Sequence, residues 1–145
     1  MSNARKFFTE EQKERIRQAI GRAELNTSGE VRVHIENQCK EDVLDRAAFL
    51  FNKLGMQKTE LRNAVLFYVA VNDKKFAVIG DSGINALVEE NFWEDVKKLL
   101  LDNFKKGQFT EGLEAGIDKA GEKLKKHFPY QTDDSDELSN EISFE

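Results

Sequence analysis

Ala64-Val65-Leu66-Phe67-Tyr68-Val69-Ala70-Val71 is an unbroken apolar run, followed at once by Asn72-Asp73-Lys74-Lys75 and then by Phe76-Ala77-Val78-Ile79. A run this short, rich in β-branched and aromatic residues, reads as a central strand covered on both faces. The polar tetrad after it is a hairpin turn. Residues 76–79 therefore return antiparallel as another buried strand, and Gly80-Asp81-Ser82-Gly83 breaks it. Upstream, residues 30–36 alternate, with Val31, Val33 and Ile35 on one side and Arg32, His34 and Glu36 on the other. That alternation predicts a strand with one wet or partly wet face.

Helical patterns fill the rest. Thr9-Glu10-Glu11-Gln12 is a capping box, and Ile16, Ala19, Ile20 and Ala23 follow at helical spacing, giving a helix over about 10–25. Val43, Ala47, Phe51 and Leu54 predict a second helix, stopped at Gly55. Ile84, Leu87 and Val88 suggest a short helical turn. Asn91 with Glu94 predicts a capping box for a third major helix carrying Phe92, Val96 and Phe104, ended by Gly107. Thr110 opens a last helix with Leu113, Ile117, Ala120 and Leu124. Gly112, Gly116 and Ala120 lie four apart on it. Each mid-helix glycine costs roughly 0.5–1 kcal/mol relative to alanine, so close backbone approach to another element is the expected compensation.

The order is α-β-α-β-β-α-α. Two strands joined through a helix should be parallel with a right-handed crossover. Helices are numerous enough to cover both faces, so the fold class is α/β: a three-layer α/β/α sandwich around a small mixed sheet. At 145 residues the chain is one domain of ordinary size. No apolar run approaches the roughly 18 residues of a membrane span, and residues 1–9 carry no signal-type stretch. Cys39 alone allows no internal disulfide, and His34 and His127 leave little for a histidine metal centre. The expectation is a cytoplasmic chain with no membrane partner, and a monomer.

Charge divides unevenly. Residues 130–145 hold six acids and no base; taking those six from the chain's 27 leaves 21 acids against 22 bases. A near-neutral body speaks against nucleic-acid binding. The expected organisation is a folded domain over 1–129 and a disordered acidic tail over 130–145.

The topology also gathers loops. The antiparallel strand ends beside the starts of its two neighbours. Asp81, Ser82 and Gly83 therefore fall near Thr27, Ser28 and Gly29, and near Thr59, Glu60, Arg62 and Asn63. Glu89 and Glu90 follow within a short turn. Calcium or magnesium favours such oxygen-rich loops, and Arg62 with loop N–H groups suits an anion. A plainer reading has Asp81 capping the short helix and Asn63 satisfying a turn. Gly80-Asp81-Ser82-Gly83 resembles a serine-protease active-site stretch, but Ile84 follows and no oriented histidine is in view.

At these residues the chain resembles a known family. Arg62-Asn63-Ala64-Val65-Leu66-Phe67-Tyr68-Val69-Ala70, then Asp73-Lys74-Lys75-Phe76, then Ile79-Gly80-Asp81-Ser82-Gly83-Ile84 are similar to the TPM domain family. Phe104, Phe109, Gly112, Leu113 and Gly116 resemble a later segment of the same family, and the likeness covers about residues 8–129. The resemblance implies an α/β/α sandwich. It also implies divalent metal binding, often calcium, by loops at one sheet edge, and in some members an acid phosphatase activity. Arg62 departs from the family's frequent Asp-Asn-Gly, in which an acid stands where this chain has a cation. Asp81 stands where many members have no acid.

Three readings follow. The first is a divalent-cation-binding domain of regulatory or interaction type, calcium favoured over magnesium, with Asp81, Asn63, Glu89 and Glu90 as ligands and Glu60 as a second choice. The second is a metal-assisted phosphatase acting on phosphate monoesters, with Arg62 as the phosphate contact and no evident nucleophile beyond Ser82 and Thr59. The third is a metal-free module for a protein partner.

Overall fold

The computed structural model describes residues 4–130 and 141–144. Among these residues, six helices and four strands follow in order: α1 (Ala4–Phe7), α2 (Glu10–Asn26), β1 (Glu30–Glu36), α3 (Val43–Lys53), β2 (Ala64–Ala70), β3 (Lys75–Gly80), α4 (Ser82–Asn85), α5 (Glu94–Lys105), α6 (Phe109–Leu124) and β4 (Ser143–Phe144). A 3-10 turn, Met56–Lys58, precedes β2.

The sheet order is β3-β2-β1-β4. β1 pairs parallel with β2, and β2 antiparallel with β3. β2 sits centrally and every one of its residues is buried, because its pleat feeds two cores at once. Val65, Phe67 and Val69 join Val31, Val33, Ile35 and Val78 under α1, α2, α5 and α6. Ala64, Leu66, Tyr68 and Ala70 face α3 and Met56 on the other side. The molecule is thus a three-layer α/β/α sandwich.

Local chemistry sets the helix ends. The Thr9 hydroxyl accepts from the Gln12 N–H at 3.1 Å, and the Thr9 N–H donates to Gln12 Oε1 at 2.9 Å. Asp42 caps α3, and Gly55 at φ 73° follows its C-cap Leu54 and leads into the 3-10 turn. The third major helix departs from its expectation. It starts at Glu94 behind Trp93, with no side-chain cap, so Asn91 and Glu94 form no capping box. Trp93 is buried there, and packing rather than capping fixes the entry.

The small-residue stripe of α6 is a contact surface. A Cβ on Gly112 would lie 2.8 Å from Phe104, and one on Gly116 would lie 3.1 Å from Leu100, both on α5. Gly121 does the same against α2, where a Cβ would stand 2.8 Å from Ala23 Cα.

Two sequence expectations need correction. The polar side of β1 is largely covered: Arg32 is half-buried, and His34 and Glu36, with Glu30 at the strand's start, are buried. Glu36 accepts from the Tyr68 hydroxyl at 2.6 Å and from a fork of the Arg46 guanidinium. His34 Nε2 lies 3.2 Å from Glu36 and its Nδ1 2.7 Å from Ser143 Oγ. The polar face is covered because its partners come from α3, β2 and β4. The folded body also does not stop at 129. Ile142 is buried, and Ser143 and Phe144 pair parallel with His34 and Ile35. An open edge of β1 and two apolar side chains supply the reason. The expected disorder of the tail concerns, for 131–140 and 145, residues outside those described. The first and last described elements touch, with the Arg5 guanidinium 5.6 Å and the Lys13 ammonium 5.3 Å from the Phe144 ring.

Candidate functional site

β3 runs into Asp81 beside the start of β2, and the backbone fixes that junction. The Asp81 N–H donates to Ala64 O at 3.0 Å, and the Gly83 N–H to Arg62 O at 2.8 Å. The approach is so close that a Cβ on Gly83 would overlap Leu61 O and stand 2.6 Å from Arg62 O. Only glycine fits there. From the other side, Glu30 N–H reaches Asn63 O at 3.4 Å. Asn63 Nδ2 reaches Ser28 Oγ at 3.4 Å, and the Asn63 N–H donates to Thr59 Oγ1 at 3.3 Å. The three loops do meet at one end of the sheet.

Asp81 is the centre of this junction and is 7% exposed. It caps α4 by accepting from the Ser82 N–H at 2.7 Å. Its two oxygens also accept a guanidinium fork, Arg62 Nε at 2.7 Å and Arg62 Nη2 at 2.8 Å. Fork-to-fork pairing of this kind is among the stronger hydrogen-bonded ion pairs. The bond to Asp81 raises the Arg62 pKa above its ordinary value. Arg62 itself stands at φ 51°, a left-handed backbone that costs a non-glycine residue energy. Its side chain is half-exposed, at 47%, whereas that of Asp81 is 6% exposed. A buried anion is therefore closed by a long-chain cation that faces water.

The other candidates divide. Asn63 is buried in the same junction, with its amide nitrogen toward Ser28. Glu60, Glu89 and Glu90 are exposed. Glu89 lines a separate cleft of about 600 Å³ with Asn91, Asp95, Lys123 and His127. Among the described residues, no three acidic, histidine or cysteine side chains gather as around a metal ion. The donor set at Asp81 thus fits a divalent cation in part: its carboxylate is in place, and Arg62 fills the position of the positive charge. Ser82 is exposed, and the Thr59 hydroxyl accepts from Asn63.

Sequence reasoning missed the Glu36 network altogether. The signal was present as polar residues alternating on β1 opposite Tyr68, and it was read as a wet face. Burial, chiefly, and then the bond to Glu36 raise the Tyr68 phenol pKa above the ordinary tyrosine value. Among the described residues no helix is long and apolar enough to cross a membrane.

Comparison with known proteins agrees with this architecture. The BA42 protein from the psychrophilic bacterium Bizionia argentinensis, solved by NMR, superposes with a TM-score of 0.93 at 48% identity, over 100% of both chains. The N-terminal domain of a P. gingivalis protein matches with a TM-score of 0.69 at 15% identity, over 85% of this chain and 80% of that one. The N-terminal domain of cg2496 from Corynebacterium glutamicum matches with a TM-score of 0.64 at 8% identity, over 92% and 78%. These last two likenesses concern the fold alone. No curated protein matches the chain. The family model of the TPM domain matches residues 1–123, and the chain belongs to the TPM domain family.

Proposed function

We propose that this protein is a divalent-cation-responsive interaction domain, in which calcium or magnesium competes with the Arg62 guanidinium for Asp81. The observation that carries this reading is the buried Asp81 carboxylate, locked by the α4 cap and closed by a half-exposed arginine. A buried carboxylate requires a positive partner. Arg62 supplies one but can leave, because its side chain already faces water. Asp81 and Asn63 would hold the cation, with solvent or Glu60, Glu89 or Glu90 completing the oxygen shell. A bound cation would tie the three loops together and raise stability by mass action. With one carboxylate in place and an internal competitor, affinity belongs in the weak range of roughly 0.1–1 mM.

An amide NMR titration with calcium, repeated with magnesium, tests this. The expected result is saturable shifts at Asn63 and 81–83, tighter in Arg62→Ala than in the parent chain. Shifts absent from that junction in both proteins would overturn the reading. The phosphatase reading would use the Arg62 guanidinium, once a cation has displaced it from Asp81, to hold phosphate oxygens.

A second reading rests on a different observation. Leu25, Leu61, Leu87 and Tyr130 are large, exposed and on segments that end or begin at this same end of the sheet. Such a rim suits a protein partner without metal. It predicts an unfolding midpoint that added calcium or magnesium leaves unchanged.

A further inference from the structure

At the opposite end of the sheet lies a second cavity, of about 440 Å³, between the β2–β3 hairpin and the α5–α6 corner. Its floor is apolar: Val69, Phe76, Leu101, Phe104 and Phe109. The Phe76 and Phe104 rings meet edge-on at 5.4 Å, and Phe104 and Phe109 lie 5.0 Å apart at a tilt. Leu101 remains 42% exposed there. Phe104 and Phe109 are also the aromatic pair of the later family-like segment, a pattern that the Asp81 junction does not use.

The rim is basic. Among the described residues, Lys74, Lys75 and Lys105 line the cavity and no acidic side chain does. Lys75 is anchored, its Nζ donating to Cys39 O at 3.1 Å. Lys74 is held at the hairpin tip by a left-handed backbone, φ 55°. Three lysines around an aromatic floor complement a ligand with an apolar body and a negative head. The volume lies in the range of small-molecule pockets, roughly 300–1,000 Å³.

We infer that this cavity binds a small amphipathic carboxylate, its ring or chain on Phe76, Phe104 and Phe109 and its carboxylate at Lys74 and Lys105. The site is independent of the Asp81 junction and stands whether or not a cation binds there. NMR titration with 2-naphthoate, and in parallel with neutral 2-naphthamide, tests it. The expected result is saturable shifts at Val69, 74–76, 101–107 and Phe109. Affinity for the acid should exceed that for the amide by roughly tenfold, and the preference should vanish in the Lys74→Gln, Lys105→Gln double variant. Equal binding of acid and amide would overturn the proposal. So would shifts confined to other surfaces, or no saturable shift with the acid.

Discussion

Glu36 shows how a single buried charge is held. Its carboxylate takes the Tyr68 hydroxyl and the Arg46 fork on one side and faces His34 on the other. Tyr68→Phe keeps the ring and removes one hydrogen bond to a charged acceptor. It should lower the unfolding free energy by about 1–2 kcal/mol in a urea titration. Glu36→Gln should cost more, about 3 kcal/mol, since it removes the charge that Arg46 faces inside the structure. The sign with pH follows from the raised Tyr68 phenol. A folded-state pKa above the unfolded value of about 10 leaves the contribution intact below that pH. It is lost as pH rises further. Absorbance of the tyrosinate should therefore show Tyr68 ionising together with loss of the near-ultraviolet circular dichroism, and not before it.

Helix α6 is where composition and contact can be separated. Gly121 touches the α2 backbone, whereas a Cβ on Gly21, within α2, would meet nothing within 4 Å. Gly121→Ala should cost about 1–3 kcal/mol by forcing α2 and α6 apart. Gly21→Ala should stabilise by about 0.5–1 kcal/mol. Paired thermal melts of the two variants check both signs. The same contrast explains what could be read from the chain. The Thr9–Gln12 box, the β2 run and the Gly112–Gly116 stripe are local or periodic, so they were legible. The Asn91–Glu94 box failed because Trp93 packing set the helix start. The Arg62–Asp81 fork was not legible, since it depends on a left-handed Arg62 and on the β2–β3 register. The polar face of β1 was misread because its partners lie on other elements.

At the scale of the whole molecule, β4 closes the outer edge of β1 with two paired residues among those described and no sequence pattern of its own. Exposed strand edges invite pairing with other chains, and even a short covering segment blunts them. Ile142→Ala should lower stability by about 1–2 kcal/mol through loss of its buried side chain. In the same variant, amide exchange should quicken along β1 while β3 keeps its protection, which hydrogen-exchange NMR reads directly. The seating of Phe144 against Arg5 and Lys13 has a separate result. The first and last described elements, α1 and β4, are spatial neighbours, so the described residues run nearly in a closed ring. A short linker across that gap would make the covalent order of the elements interchangeable with their order in space. The chain could then be opened at the Asn72–Lys74 turn, yielding a circular permutant with the same sandwich and new ends on the far side of the molecule.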